Sequence, residues 1–159
     1  GQYEELLNKI VFLSFFVPLI ISSGGNSGAQ AATLVIRALA TDDIKFEDWK
    51  MVFAREFTSG LMLGSLIGIL GFITLIGWDL IAGNAIGNET IMTALVIGLS
   101  LLTIVLFGNF VGAMLPFILS RMGLDPAVSS APFVATIVDV SGIIIYFSIA
   151  LFFLSQFLP

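Results

Sequence analysis

The sequence has no cysteine and no histidine. The first absence excludes a disulfide framework, a cysteine-bound zinc and a thiol nucleophile. The second excludes histidine acid–base catalysis, a histidine triad and histidine metal ligation. Charge is also scarce. Only 11% of the 159 residues are Asp, Glu, Lys or Arg, against roughly 25% in ordinary globular domains. The chain has six Lys and Arg and a net charge of −5, so it lacks the basic surface that nucleic acid requires. What remains for a functional site is oxygen: carboxylates, amides, hydroxyls and backbone carbonyls. These hard ligands suit Mg²⁺, Ca²⁺, Mn²⁺, Na⁺ or protons.

The abundant component is apolar. Hydrophobic residues make up 58% of the chain, more than a soluble domain of this size can bury. The expected class is therefore an integral membrane protein. Four regions approach the roughly 20 apolar residues that cross a hydrocarbon core of about 30 Å. They run from about Leu6 to Ala40, Phe53 to Ile76, Ile91 to Leu119, and Val128 to Leu158. None alternates with period two, so barrel strands are excluded and an all-α, polytopic helix bundle is expected. No segment reads as a signal peptide, because Glu4 and Glu5 precede Lys9 at the start.

The basic residues orient the bundle. Arg37, Lys45, Lys50 and Arg55 lie in or beside the first connection, and Arg121 lies at the third. The second connection, Trp78 to Glu89, has no Lys or Arg. The positive-inside rule then places the first and third connections in the cytoplasm and both chain ends outside, with Lys9 as the exception. Trp49 and Trp78 read as interface anchors, and the 15 Phe as lipid-facing surface.

Asp139 is the most informative residue, because no other acidic residue lies deep in an expected span. With the fourth helix starting near Val128, it sits about 16 Å along, close to the bilayer midplane. A charged side chain there costs roughly 2.5–3.5 kcal/mol on insertion scales, so such residues mark function by default. No span contains a cation to pair with it. The alternative is a neutral Asp hydrogen-bonded to a neighbouring helix. Around it the helix presents Ala131, Pro132, Ala135, Thr136 and Gly142, a small and weakly polar face. That face suits either a pore lining or close helix packing.

The second signal is Ser22-Ser23-Gly24-Gly25-Asn26-Ser27-Gly28-Ala29-Gln30, followed by Thr33. Adjacent glycines weaken a helix. A broken helix at membrane depth exposes carbonyls that ligate ions. The competing reading is close packing, since Gly24, Gly28 and Ala32 are spaced as small-xxx-small. Gly60, Gly64 and Gly68 on the second helix, and Gly108 and Gly112 on the third, read as packing motifs, with Asn109 as an interhelical hydrogen-bonder. Asp42, Asp43, Glu47 and Asp48, interleaved with Lys45 and Lys50, form either a solvated amphipathic segment or a weak divalent-cation cluster. Asp125 is either an N-cap or a similar mouth residue.

From Pro18 through Gln30, and on through Thr33-Leu34-Val35-Ile36-Arg37-Ala38-Leu39-Ala40, the chain resembles the MgtE family of magnesium channels. Gly123-Leu124-Asp125-Pro126-Ala127 and Pro132 through Val140 carry the same resemblance, which covers nearly the whole chain. The resemblance implies a homodimeric channel for Mg²⁺, with Mn²⁺ or other divalent cations as alternatives. Its pore would lie on the two-fold axis in the cell (plasma or inner) membrane. It implies Asp139 as the residue holding hydrated Mg²⁺, with backbone near Ala135, and Asp125 near the cytosolic mouth. Gly25, Asn26, Ala29, Thr33, Ala131 and Thr136 would line the pore. The family has five membrane helices and carries cytosolic N-terminal and CBS domains. Four helices and no regulatory domain are expected over residues 1–159, so the chain reads as a transmembrane domain that starts inside the family's pattern.

The chemistry agrees. Mg²⁺ dehydrates reluctantly and keeps several waters, so it needs a roomy ring of oxygen acceptors. Two Asp139 carboxylates facing across an axis repel one another, and a divalent cation between them relieves that repulsion. Protons should therefore compete with Mg²⁺. No acid–base pair adjoins in a span, so an enzyme is not expected. The rival readings are a proton- or Na⁺-coupled transporter with Asp139 as the coupling group, and a non-conducting membrane assembly module.

Overall fold

A computed structural model describes residues 11–128 and 130–154. Lys9, the Leu6 start of the first region and the Leu158 end of the fourth lie outside the described residues. Among the described residues there are four long helices: α1 (Val17–Ala40), α2 (Trp49–Ile81), α3 (Asn88–Arg121) and α4 (Ala131–Leu154). Short 3₁₀ turns at Phe46–Asp48 and Pro126–Val128 precede α2 and α4. All four are long and apolar enough to cross a membrane. This is the all-α membrane bundle that the composition calls for.

The helices end where their sequences make them end. Gly83 and Gly123 take left-handed φ values of 75° and 77°, a region that costs a residue without a side chain nothing. At the end of α3 the Leu124 amide donates to the Leu119 carbonyl at 2.9 Å. At the end of α2 the Asn84 amide donates to the Asp79 carbonyl at the same distance. Both satisfy carbonyls that a helix end otherwise leaves without a donor.

α3 is the central helix. It packs against α1, α2 and α4, while α1 packs against α3 and α4. Glycine sets how closely they approach. A methyl placed on Gly108 would lie 2.5 Å from the Gly24 carbonyl oxygen, and one on Gly28 would lie 2.9 Å from the Gly108 carbonyl oxygen. On the other flank of α3, a methyl on Gly68 would lie 2.5 Å from the Gly98 carbonyl oxygen, and one on Gly64 would lie 2.8 Å from that of Leu102. Two seams of backbone against backbone thus hold α1 and α2 to α3. Small residues drive such contacts where no hydrophobic effect exists between lipid-facing helices. Asn109 sits between the two seams, and the Ser27 hydroxyl donates to its side-chain carbonyl, so the expected interhelical hydrogen bond is present.

The expected break at Gly24–Gln30 does not occur. α1 is continuous from Val17 to Ala40. The Gly24 and Gly28 carbonyls are packed against α3 rather than exposed. Tertiary contact on two sides overrides the weak helix preference of glycine. The interruption lies earlier, at Phe15 and Phe16, between a helical turn at residues 11–14 and α1. Pro18 explains it, since its ring lacks an N–H and clashes with the carbonyl four residues back. The turn at 11–14 is tied back to the bundle by the Tyr146 hydroxyl, which donates to the Leu13 carbonyl at 2.8 Å.

Exposure follows the membrane pattern. Phe12, Phe15, Phe53, Phe57, Phe110, Phe133 and Phe152 lie on the surface, as do Trp49 and Trp78. The two tryptophans stand near opposite ends of α2, roughly 44 Å apart along the helix at 1.5 Å per residue. That matches the ~40–45 Å thickness of a bilayer with its headgroups.

Candidate cation site between α1 and α4

α4 begins at Ala131, three residues later than the sequence pattern placed it. Pro126 is used in the preceding 3₁₀ turn, and Pro132 occupies the first helical turn, where its missing N–H costs nothing. Asp139 consequently lies about 12 Å into the helix. Its level in the bundle is nonetheless central, as expected, because it lies against Gly25, whose neighbour Gly24 packs on Ile104 at the middle of α3, well away from Arg37, Lys45, Lys50, Arg55 and Arg121. Those five basic residues lie at or beside one end of the bundle, because α1 and α3 finish there and α2 starts there.

Asp139 is half-buried and faces α1. Its carboxylate lies over Gly25: a methyl at that position would be 2.5 Å from Asp139 Oδ1 and 3.8 Å from the Ala135 Cβ. The structure therefore brings Gly25, Ala135 and Asp139 together. Gly25 is needed for this approach, because any side chain would occupy the place of the carboxylate. Among the described residues no hydrogen bond or ion pair satisfies Asp139, and no group of three acidic residues could hold a metal. The site in one chain is a single carboxylate beside bare helix backbone.

The other expected lining residues sit along the same two helices. Ala29 and Thr33 follow Gly25 at successive four-residue steps on α1, and Asn26 flanks them, so the four share one side of the helix. Asn26 and Thr33 are exposed, and Ala29 is half-buried. The Asn26 amide donates to the Ser22 hydroxyl at 3.2 Å, and the Thr33 hydroxyl donates to the Ala29 carbonyl at 2.8 Å. On α4, Thr136 is exposed and donates to the Pro132 carbonyl at 2.9 Å, while Ala131 is half-buried in the first turn. The seam is thus small, weakly polar and open on one side. Its hydroxyls donate to their own helices and leave lone pairs outward, which suits acceptance of hydrogen bonds from water.

Asp125 is not at this seam. It is exposed in the loop before α4, and its carboxylate accepts from the Ala127 amide at 2.9 Å. It caps a turn, one of the two roles its position allows. The acidic run after α1 is similarly occupied. The Thr41 hydroxyl donates to Asp43 at 2.5 Å, and the Lys45 amide donates to Asp48 at 2.8 Å. Asp42 takes a left-handed φ of 58°, which closes the end of α1. The Asp43 and Asp48 carboxylates thus build turns, and among the described residues no three acidic side chains gather around an ion.

Comparison with known proteins decides the family. A sequence model for MgtE, described as a divalent cation transporter, matches residues 17–149. The chain belongs to the MgtE family. It is 45% identical over 148 residues to the magnesium transporter MgtE of Thermus thermophilus, covering 93% of this chain and 31% of that protein. It is 30% identical over 157 residues to the magnesium transporter MgtE of Enterococcus faecalis, covering 99% of this chain and 33% of that protein. The Bacillus subtilis magnesium transporter MgtE is 31% identical over 154 residues, covering 97% of this chain and 32% of its own length. The chain therefore spans about a third of the relatives it matches. The matched family is one of divalent cation transporters, and the four membrane-length helices make this chain a multi-pass membrane domain of that family.

Proposed function

We propose that this MgtE domain conducts hydrated Mg²⁺ passively across the cell membrane, as a homodimer whose two α1–α4 seams face one another. The observation that carries the reading is the Asp139 carboxylate. It is held over Gly25 in a membrane-spanning segment and, among the described residues, is satisfied by no donor. A carboxylate at membrane depth without a partner is costly, and a second copy with a cation between the two would supply one.

Two carboxylates across a two-fold axis give two negative charges and four oxygens. Hydrated Mg²⁺ would meet them through its waters, because it surrenders those waters reluctantly. Ala135 and Gly25 lack bulk and leave room for that shell. Asn26, Thr33 and Thr136 would offer further acceptors along the way, and Ala29 and Ala131 would keep the path wide. Asp125, at the basic end of the bundle, would stand near the cytosolic mouth. The driving force is the concentration gradient and the membrane potential, worth about 2.3 kcal/mol per elementary charge per 100 mV.

The test is Mg²⁺ uptake into liposomes carrying the protein at a set potential, beside Asp139→Ala. Uptake that scales with potential in the parent and falls in the variant is the expected result. Uptake that requires a proton or Na⁺ gradient would replace the channel with a coupled transporter. Equal uptake by both proteins would remove Asp139 from the path. Mn²⁺ run in parallel would show whether other divalent cations share the path.

A further inference from the structure

A second cavity, of about 680 Å³, opens on the opposite side of α1, between α1 and α2 over α3. Its lining changes character along α2. Arg55 and Glu56 stand at the basic end, Ser59 one turn deeper, and Met62, Leu63 and Leu66 beyond. Gln30 and Ser27 of α1 and Asn109 of α3 add amide and hydroxyl groups at its middle. Among the described residues Arg55 and Glu56 make no side-chain hydrogen bond or close salt bridge; the Arg55 charge acts on Glu56 from a distance and leaves the donors and acceptors of both open to a ligand. We propose that this groove binds a zwitterionic phospholipid of the phosphatidylethanolamine type, its phosphate on Arg55, its ammonium on Glu56 and one acyl chain along Leu63 and Leu66.

Depth supports this. Arg55 lies about 9 Å along α2 from the interfacial Trp49. The headgroup layer is about 5–8 Å thick on each side, so Arg55 and Glu56 stand where headgroups give way to hydrocarbon. A cation there could snorkel to water, but a short Glu side chain could not. The lipid itself is the one abundant molecule carrying both opposite charges at that level. A guanidinium takes phosphate in a two-pronged hydrogen bond, and a carboxylate takes the three N–H donors of an ammonium. Ester oxygens would lie beside the Gln30 and Asn109 amides. An anionic headgroup without an ammonium would satisfy Arg55 and be repelled by Glu56.

The experiment is native mass spectrometry of the full-length protein, released from detergent after titration with phosphatidylethanolamine, phosphatidylglycerol or phosphatidylcholine. One phosphatidylethanolamine per chain is expected to survive, retained at least fivefold over the other two. Arg55→Gln and Glu56→Gln should each abolish that preference. Ser59→Phe, which fills the groove and keeps both charges, should abolish retention itself. Lys50→Gln, outside the groove, should leave retention unchanged. Equal retention of the three lipids by the parent, or a preference that survives Arg55→Gln, Glu56→Gln and Ser59→Phe together, would overturn the proposal. So would a full-length protein that retains no lipid, because the groove would then be closed by protein.

Discussion

Gly25→Ala separates the role of the Asp139 carboxylate from the stability of the bundle. The added methyl would sit 2.5 Å from Asp139 Oδ1. An ordinary carbon–oxygen contact is ~3.5 Å, so one of the two groups must move by about 1 Å. The neighbour is the end of a short, rotatable side chain with no hydrogen bond to lose, so the carboxylate should yield and the helices should stay. The helix itself gains roughly 0.5–1 kcal/mol when alanine replaces glycine. Net stability should therefore change by less than about 1 kcal/mol. Transport should fall about tenfold, equivalent to about 1.4 kcal/mol, because the charge is moved off the seam rather than removed. Gly108→Ala provides the contrast. Its methyl would meet the Gly24 carbonyl oxygen at 2.5 Å, and backbone cannot swing aside. Overpacking of this kind costs about 1–3 kcal/mol, more than the helix gain. Gly77→Ala calibrates both, since nothing lies within 4 Å of its added methyl. Thermal unfolding in detergent and liposome Mg²⁺ flux, measured on the three variants, make the assay. The expected melting order is Gly77→Ala highest, Gly25→Ala near the parent and Gly108→Ala lowest, with flux lost selectively in Gly25→Ala. A Gly25→Ala protein that transports like the parent would refute the claim that the carboxylate's position matters. One that melts like Gly108→Ala would refute the claim that the carboxylate yields.

Three further outcomes follow from the same packing. The Ser100 hydroxyl is fully buried on α3 and has no hydrogen-bond partner among the described residues, so Ser100→Ala should raise the unfolding free energy by about 1 kcal/mol, read as a melting shift of a few degrees. Asn109→Leu removes the acceptor of the Ser27 hydroxyl and should cost about 0.6 kcal/mol, the mean for interhelical hydrogen bonds in membranes, and at most about 1.7; Ser27→Ala in the same background should add little more. If Asp139 holds the cation, acidification should suppress Mg²⁺ flux and added Mg²⁺ should restore it, because protonation favours low pH and cation binding favours the charged form; flux at saturating Mg²⁺ that still falls with pH to the same degree would break that link.

How much of this was legible in the sequence depends on what each residue was being asked to reveal. The four spans were legible because hydrocarbon solvation imposes a length and a composition that no other environment imposes. Asp139 was legible for the same reason, since an isolated carboxylate in such a span stands out against everything around it. Its depth was legible too: although Pro126 serves the turn and Pro132 opens the helix, Asp139 lies level with Gly25 and with Ile104 at the middle of α3. The glycines show the limit. Gly24 and Gly25 are adjacent and chemically identical, and their local preference argued for a broken helix. In the fold they lie about 100° apart on an intact one, so Gly24 meets Ile104 and Val138 while Gly25 meets Asp139. One glycine is small so that helices can touch, and the other so that a charge can lie against bare backbone. The Arg55–Glu56 groove was missed altogether. Arg55 read only as one of the basic residues beside the first connection, Glu56 drew no reading, and only the separation of α1 from α2 over α3 exposes them to a shared cavity. Neighbours along a chain reveal what a residue costs, but what stands opposite across the bundle decides what it does. For Asp139, bare Gly25 backbone stands opposite, and no donor does among the described residues. That is why the strongest argument for a second copy is a carboxylate that the described residues leave unsatisfied.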